Sequence, residues 1–318
     1  MIRHLKILIL LIVLGTTGSN ATTWDEPWAE KVIKEAGSFV LGKVISSDPE
    51  KGIEIVVLKM LGSDVIKDTI QITNFYSLHI CSSSGGHGPE FRTRTIDSCY
   101  LFIKKNSKGQ FCIATPTTGY DYAFEGMVTA TFRHSYHRAS VPVNIYEKAM
   151  TAVFNNYHGL SYDKDYMEKF VNEYLTRAPA SFGAEEMNIF FLQHVALECV
   201  YHLKLDVKEA LLLPFLNDKN NFHNQVSGAR AMSAKNTEIS KRELLKAIGD
   251  TANGNFVRVM CVWSLASFNA REIKAQVQEI EKTASDEREG FGGDIMDPRV
   301  CTRIPTLKNA LKELSDKL

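Results

Sequence analysis

Charge of one sign, repetitive composition and long hydrophobic runs are all missing from this sequence. Its 318 residues contain 37 Lys and Arg against 37 Asp and Glu, so the formal net charge is zero. Such a chain lacks the overall positive charge by which nucleic-acid-binding proteins attract a phosphate backbone. With 20 Gly and 9 Pro it is also neither collagenous nor of low complexity. We therefore expect a globular protein of about two domains that binds no nucleic acid.

Motifs for metals, nucleotides and paired catalytic carboxylates are absent as well. The sequence has no CxxC pair and no closely spaced Cys/His quartet, so no metal site is predicted. It has no phosphate-binding glycine loop and no dinucleotide fingerprint, so no cofactor is expected. No residue is assigned a catalytic role on this basis.

The amino-terminal apolar run is too short to cross a membrane. Ile7 to Leu14 provides about half of the ~20 residues that a spanning helix needs. A short basic start precedes the run, and small and polar residues that include Ser19 and Ala21 follow it. This order is typical of a signal peptide over residues 1–21. We expect an exported protein, periplasmic or extracellular, with no membrane span after cleavage; the alternative is a short membrane-tethering helix.

Residues 22–142 alternate apolar and polar side chains with the period of two that β-strands have. A helix from about Pro27 to Ala36 is predicted before the strands. The predicted strands are Phe39 to Ile45, Ile53 to Leu58, Thr69 to Thr73, Tyr100 to Ile103, Phe111 to Ala114 and Gly126 to Phe132. Because closing a sheet removes its exposed edges, this number of strands predicts a small antiparallel β-barrel.

Residues 143–318 change to the helical period of 3.6. Tyr166, Phe170 and Tyr174 fall on one helical face. Met187 to Leu203 is apolar nearly all round, which is typical of a helix packed between neighbours. The predicted fold class is therefore α+β, with a barrel followed by helices.

Two segments of this helical half recur along the chain. Leu212 to Asp218 is similar to Leu244 to Asp250 at an offset of 32 residues, and Asn236 to Ile239 is similar to Asn269 to Ile273 at 33. A period near this length, with two helices per unit, predicts an α-solenoid. The alternative interpretation is an irregular helical bundle.

Both halves resemble known families. Asp250 to Leu265, with Val257 and Arg258 on its helix, resembles a HEAT repeat, so residues 143–318 are expected to form HEAT-like hairpins. The segments SFVLGKVIS, GIEIVVLKML, DTIQI and CYLFIKKNSKGQFC are similar to the netrin-like module. That module is an oligonucleotide/oligosaccharide-type (OB-type) barrel, also used by tissue inhibitors of metalloproteases. Those inhibitors ligate zinc through an amino-terminal Cys, which the predicted mature start at Thr22 lacks.

Six cysteines allow many pairings, among which the sequence alone does not choose. The netrin-like resemblance implies a disulfide between Cys81 and Cys112. It leaves Cys99 at a position where Gly is more usual. Cys199 and Cys261 lie in apolar helical patterns, where a buried free thiol is the commoner state.

The segment 81–91 is rich in serine and glycine and is the first candidate site. Its candidate binding residues are Ser82, Ser83, Ser84, His87 and Glu90. A serine beside a histidine suggests a nucleophile with its base, but no strand–turn–helix elbow surrounds them and no third orienting residue is evident. The other interpretations are a loop that contacts a ligand or partner and a plain inter-strand loop.

A small basic stretch is the second candidate, predicted to cover the seam between barrel and helices. It consists of Arg133, His134, His137 and Arg138. Residues three apart on a strand point to opposite faces, so its two histidines are not expected to share a metal. His194 and His202, two turns apart on an apolar helix, are predicted to be core or interface histidines.

These features together favour an exported, non-enzymatic binding or adaptor protein. A solenoid offers an extended concave face and a barrel offers a rim of loops, so a protein or peptide partner is expected. The recessed seam between the halves is a further candidate surface. The alternatives are a hydrolase-like enzyme that uses the 81–91 loop and an inhibitor of an exported peptidase. The oligomeric state is left open.

The export and disulfide predictions can be tested together by intact-mass spectrometry of the exported protein, alkylated without reductant. We expect a mass that begins at Thr22, with one disulfide mapped to Cys81 and Cys112. A retained amino terminus with all six thiols alkylated would contradict both predictions.

Overall fold

A computed structural model describes most of the chain. The described residues are 23–25, 29–48, 51–63, 65–66, 68–73, 80–81, 98–113, 119–132, 137–287, 300–301 and 304–318. Within them the structure changes from strands to helices between Pro142 and Val143. The change of hydrophobic period in the sequence lies at this point.

Strands dominate the first half of the described chain. They are β1 (Thr23–Asp25), β2 (Ser38–Asp48), β3 (Gly52–Ser63), β4 (Thr69–Ile72), β5 (Ile80–Cys81), β6 (Ser98–Lys105), β7 (Phe111–Ile113), β8 (Tyr120–Phe124), β9 (Met127–Phe132), β10 (His137–Pro142) and, near the carboxyl end, β11 (Val300–Cys301). Helix α1 (Ala29–Glu35) precedes β2, where the sequence predicts a helix.

Helices make up the second half. They are α2 (Val143–Tyr157), α3 (Lys164–Leu175), α4 (Met187–Leu203), α5 (Glu209–Leu216), α6 (Phe222–Ser233), α7 (Glu238–Gly249), α8 (Asn255–Ala266), α9 (Lys274–Thr283) and α10 (Leu307–Lys317). In the part of the chain that the structure describes, no helix is both long enough and apolar enough to cross a membrane.

Five strands close into a barrel, which confirms the predicted barrel followed by helices. The ring runs β2–β3–β4–β7–β6 and returns to β2. The β4–β7 pairing is parallel, through Ile72 and Phe111, and the other four are antiparallel. The barrel is therefore not purely antiparallel, because the β6–β7 hairpin folds back beside β4. Strands β8, β9 and β10 extend the sheet from β6.

Strand β6 is buried on both faces and joins the barrel to the helices. Successive side chains of a strand point to opposite faces. Leu101 and Ile103 pack inside the barrel, whereas Tyr100 and Phe102 belong to the core shared with the helices. The Phe102 ring stacks on Phe39 of β2 with 4.6 Å between centroids. Barrel and helices therefore share one apolar core.

The helices after α2 pack as consecutive hairpins. Helix α3 pairs with α4, α5 with α6, α7 with α8 and α9 with α10. The second helices of the hairpins, α4, α6, α8 and α10, lie side by side in a row, and α5, α7 and α9 are neighbours on the other side. The two similar segments of the sequence occupy equivalent places, since Leu212 in α5 and Leu244 in α7 are both fully buried.

The turns of two successive hairpins also contain the same kind of hydrogen bond, from an aspartate side chain to the backbone two residues later. Asp218 after α5 accepts from the backbone N–H of Asn220 at 3.1 Å, and Asp250 after α7 accepts from that of Ala252 at 2.9 Å. Lys219 joins the two turns by an ion pair with Asp250 at 2.6 Å. The offset of 32 residues seen in the sequence therefore corresponds to one hairpin.

A close approach of two helices at Gly228 generates a prediction on stability. A Cβ atom on Gly228 of α6 would lie 2.6 Å from the backbone nitrogen of Leu216, at the end of α5. Backbone cannot move aside as a flexible side chain can, so Gly228→Ala should lower the free energy of unfolding by about 2 kcal/mol in urea titration.

The matched control is Gly249→Ala, at the end of α7. Its added methyl group would meet only the Ile280 side chain, at 3.9 Å. We expect a change within about 0.5 kcal/mol. Equal effects of the two substitutions would show that the α5–α6 contact is not as close as described.

Candidate functional site

A groove of about 850 Å³ lies between α1 and the inner helices α4, α6 and α8. One of its walls is charged and the other is largely apolar. The groove brings together helix α1, which precedes the barrel, with helices from three successive hairpins. The side chains that line this groove are not those predicted to cover the seam between barrel and helices.

Helix α1 provides the charged wall because its other face is needed for the core. Val32 and Ile33 are buried, which leaves Lys31 and Lys34 exposed on the groove side. Glu35 accepts a hydrogen bond from Lys104 of β6 at 2.8 Å, and this bond holds the pKa of the Glu35 carboxyl below its usual value. The barrel thus fixes the end of α1.

Helix α8 provides the apolar wall. Met260, Trp263, Ser264 and Ser267 are spaced so that they share one helical face, and all four line the groove. Trp263 is the large aromatic surface, and the small serines beside it leave room for a ligand. The remaining faces of α8 pack into the core through buried residues such as Leu265.

Arg230 of α6 is the charged centre of the site. Its Nε and Nη2 donate to the two carboxylate oxygens of Glu198 at 3.3 and 3.2 Å, and Nη2 also donates to Glu30 at 3.4 Å. The guanidinium lies 3.8 Å from the centroid of the Tyr201 ring. Glu198 and Tyr201 belong to α4 and Glu30 to α1, so this one side chain connects three helices.

The electrostatics keep these groups in fixed charge states. Burial lowers the pKa of Arg230, but Glu198 and Glu30 outweigh it, so the pKa is raised overall. Burial together with Glu30 raises the pKa of Tyr201 to about 12, against the opposing effect of Arg230. Arg230 is therefore a permanent cation and Tyr201 a neutral phenol near neutral pH.

His202 extends the network toward α2. Its Nε2 lies 3.3 Å from Glu198, and its Nδ1 lies 2.8 Å from the hydroxyl of Tyr157. With the carboxylate on one side, Nε2–H donates to Glu198 and Nδ1 accepts from the Tyr157 hydroxyl. The expectation that His202 is an interface histidine agrees with these contacts.

Two of the three serines that line the groove donate their hydroxyls to backbone carbonyls. Ser233 donates to the carbonyl of Arg230 at 2.6 Å, and Ser267 donates to that of Ser264 at 2.7 Å. A Ser–His hydrogen bond does occur between Ser227 and His194, at 2.8 Å, but both residues are buried in the core. A substrate has no access to that pair, so we assign it a structural role.

The first predicted site lies outside the described residues. This holds for Ser82, Ser83, Ser84, His87 and Glu90. Cys81 pairs with Thr23 of β1 through its backbone, and its side chain is likewise outside. Cys112 is a buried free cysteine in β7, and burial raises the pKa of its thiol. The Cys81–Cys112 disulfide stays a prediction.

Arg133 and His134 of the second predicted site are also outside the described residues. His137 and Arg138 lie on β10, paired with Phe132 and Thr131 of β9, and their side chains are not described. The cysteines whose side chains are described are all buried, and no disulfide joins any two of them: Cys99, Cys112, Cys199 and Cys261. No group of three His, Cys, Asp or Glu residues that could hold a metal occurs in the described ranges.

The Arg230 cluster was not predicted from the sequence, although one residue pattern points to it. Glu198 stands in a helix that is otherwise almost wholly apolar, and a buried charge needs a partner. Arg230 follows it by 32 residues, the offset of the internal similarity. A carboxylate in an apolar helix and a guanidinium one hairpin later along the chain predict such a pair.

Comparison of the chain with protein-family models, with curated proteins and with solved structures gives no match. The netrin-like and HEAT-like resemblances therefore stay predictions.

Removal of the central cation should be strongly destabilising. Arg230→Met leaves Glu198 and Glu30 in a buried place without their guanidinium, so we expect a loss of about 3–5 kcal/mol in the free energy of unfolding. Urea denaturation at neutral pH measures it. The control is Arg177→Met, which breaks an exposed ion pair with Glu173 and should change stability by less than about 1 kcal/mol. Similar losses for both variants would contradict the stabilising role of Arg230 as the partner of two buried carboxylates.

Proposed function

We propose that this protein is an exported, non-enzymatic binding protein that takes a segment of a polypeptide partner in the groove between α1 and α8. The observation that carries the proposal is the groove itself, with Trp263 on one wall and the lysines of α1 on the other. Export rests on the signal-like sequence of residues 1–21.

The size and lining of the groove favour a polypeptide ligand. A volume of about 850 Å³ is within the usual range of ligand sites and holds a few amino-acid residues. Protein interfaces typically combine an aromatic centre with a polar rim, and Trp263 beside Lys31 and Lys34 has this composition. A groove between helices also suits an extended or helical segment.

We further propose that the barrel is of the OB type and netrin-like. Support comes from the ring order β2–β3–β4–β7–β6 and from its single parallel pairing, β4 with β7. A closed five-stranded barrel in which the first strand pairs with the second and fourth agrees with that family of folds. A barrel of this kind serves many functions, so it does not by itself name one.

For the helical half we propose a HEAT-like α-solenoid. The support is the row of inner helices α4, α6, α8 and α10, together with the matching Asp218 and Asp250 turns. A solenoid presents its inner helices as one extended surface. The groove lies on three of these helices, which places it where solenoids commonly hold partners.

Neither alternative function gains support from the described geometry. A hydrolase or a peptidase inhibitor would use the 81–91 loop, which lies outside the described residues. At the groove, the hydroxyls of Ser233 and Ser267 donate to backbone carbonyls. Binding is therefore the function that we propose.

Site-specific photo-cross-linking in the producing cell tests this function. A photo-reactive benzoylphenylalanine replaces Ser267, which is exposed and lines the groove. We expect a discrete covalent adduct with another polypeptide, identified by mass spectrometry of the cross-linked peptides. The control places the same residue at Arg242, on the exposed side of α7. Absence of an adduct, or the same adducts at both positions, would contradict the proposal.

A further inference from the structure

Two lysines stand beside the Arg230 cluster without a carboxylate of their own. Lys34 of α1 has its Nζ 5.1 Å from the centroid of the Tyr157 ring, and Lys204 at the end of α4 has its Nζ 4.3 Å from that of Tyr201. Among the described residues, neither lysine forms an ion pair with an acidic side chain. Aromatic rings hold both ammonium groups in place.

Lys34 lines the groove and Lys204 lies beside its lining residue Tyr201, and together they add positive charge next to the Arg230 cluster. Glu30 and Glu198 are both bound to the Arg230 guanidinium. Burial, Arg230 and Lys34 lower the pKa of Lys204, against the opposing effect of Glu30. Three cations therefore face two carboxylates, and an anion entering here would relieve the repulsion among the cations.

The backbone of Lys204 adopts the left-handed conformation at the end of α4, where the residue caps the helix. Its φ of 53° is in the left-handed region, which disfavours residues with a Cβ atom and suits Gly or Asn at the end of a helix. The ammonium group that Gly would lack is the feature that distinguishes Lys here.

We propose that the partner segment carries a carboxylate, which Lys34 and Lys204 bind, next to a large apolar side chain, which packs on Trp263. This inference rests on the proposed function and names the chemistry of the ligand. Lys34, Tyr201 and Arg230 line the groove, and Lys204 has its Nζ 4.3 Å from the centroid of the Tyr201 ring. Trp263 lines the α8 wall. A segment that satisfies both must present an acidic residue and an apolar residue close together.

A free inorganic anion satisfies only half of this arrangement. It would be attracted by the lysines, but it would leave the apolar wall of α8 exposed to water. Burial of an aromatic or aliphatic side chain on Trp263 adds a hydrophobic contribution that an inorganic anion does not have. The two walls together therefore select a peptide.

The test is a selection of random dodecapeptides displayed on phage against the immobilised full-length mature chain. We expect enrichment of peptides in which Asp or Glu lies within a few residues of Phe, Trp, Leu or Met. Fluorescence polarisation then measures the affinity of the selected peptides at low and high salt. Affinity should fall as salt rises, because ion pairs at an open site are screened.

Matched variants assign the binding to the lysines. The double variant Lys34→Gln, Lys204→Gln should bind the selected peptides about tenfold more weakly than the wild type. Lys246→Gln, an exposed lysine on α7, removes one positive charge elsewhere and should leave the affinity unchanged. Replacement of the acidic residue of the peptide by its amide should reproduce the loss seen in the double variant.

Lys204→Gly separates a binding role from a structural one. Gly adopts the left-handed backbone without strain, so the melting temperature should stay the same or rise, while peptide affinity falls about threefold. A lysine with only a capping role would give the same affinity in both proteins.

The outcomes distinguish the two proposals. Selected peptides that lack acidic residues, or that bind the double variant as well as the wild type, would overturn this inference and leave peptide binding at the groove intact. Failure to select any peptide that loses affinity for a Trp263→Ala variant would overturn the proposed function as well.

Discussion

The buried guanidinium of Arg230 is the interaction on which the arrangement of the site depends. It binds Glu198 of α4 through two hydrogen bonds and Glu30 of α1 through a third. A buried charge is stable only when it is paired. Because Arg230 must stay bonded to both Glu198 and Glu30, these bonds set the distances between α6, α4 and α1. Those distances leave the groove between α1 and α8 open.

The barrel contributes to the same arrangement from the other side. Strand β6 packs Leu101 into the barrel and Phe102 against the helical half, so one strand serves two apolar layers. Lys104, near the end of β6, holds Glu35 of α1. Helix α1 is thus fixed at its amino end by the helical hairpins and at its carboxyl end by the barrel. The position of one groove wall depends on both halves of the chain.

Local sequence patterns predicted correctly those features that depend on residues within a single strand or helix. The six strands predicted from alternating runs all lie in the main sheet. Asp163, a residue type that favours helix N-caps, accepts from the backbone N–H of Tyr166 at 3.0 Å at the start of α3. Proline is a less reliable guide. Pro214 lies inside α5, although proline disfavours a helix interior, because burial of Leu212 and Phe215 on either side of it holds the helix together. Helix α4, which the sequence describes as apolar, also buries Glu198.

The sequence by itself determined the two periods, the change between them after residue 142, and the 32-residue offset of the hairpins. The periods can be read from residues that are close together in the chain, because the spacing of apolar side chains along one element decides which of its faces is buried. Only the tertiary structure decided the groove and its charge. Glu30 and Arg230 are 200 positions apart, and no local pattern relates them. Their contact exists because the shared core brings α1 against the hairpins, where each buried charge requires the other.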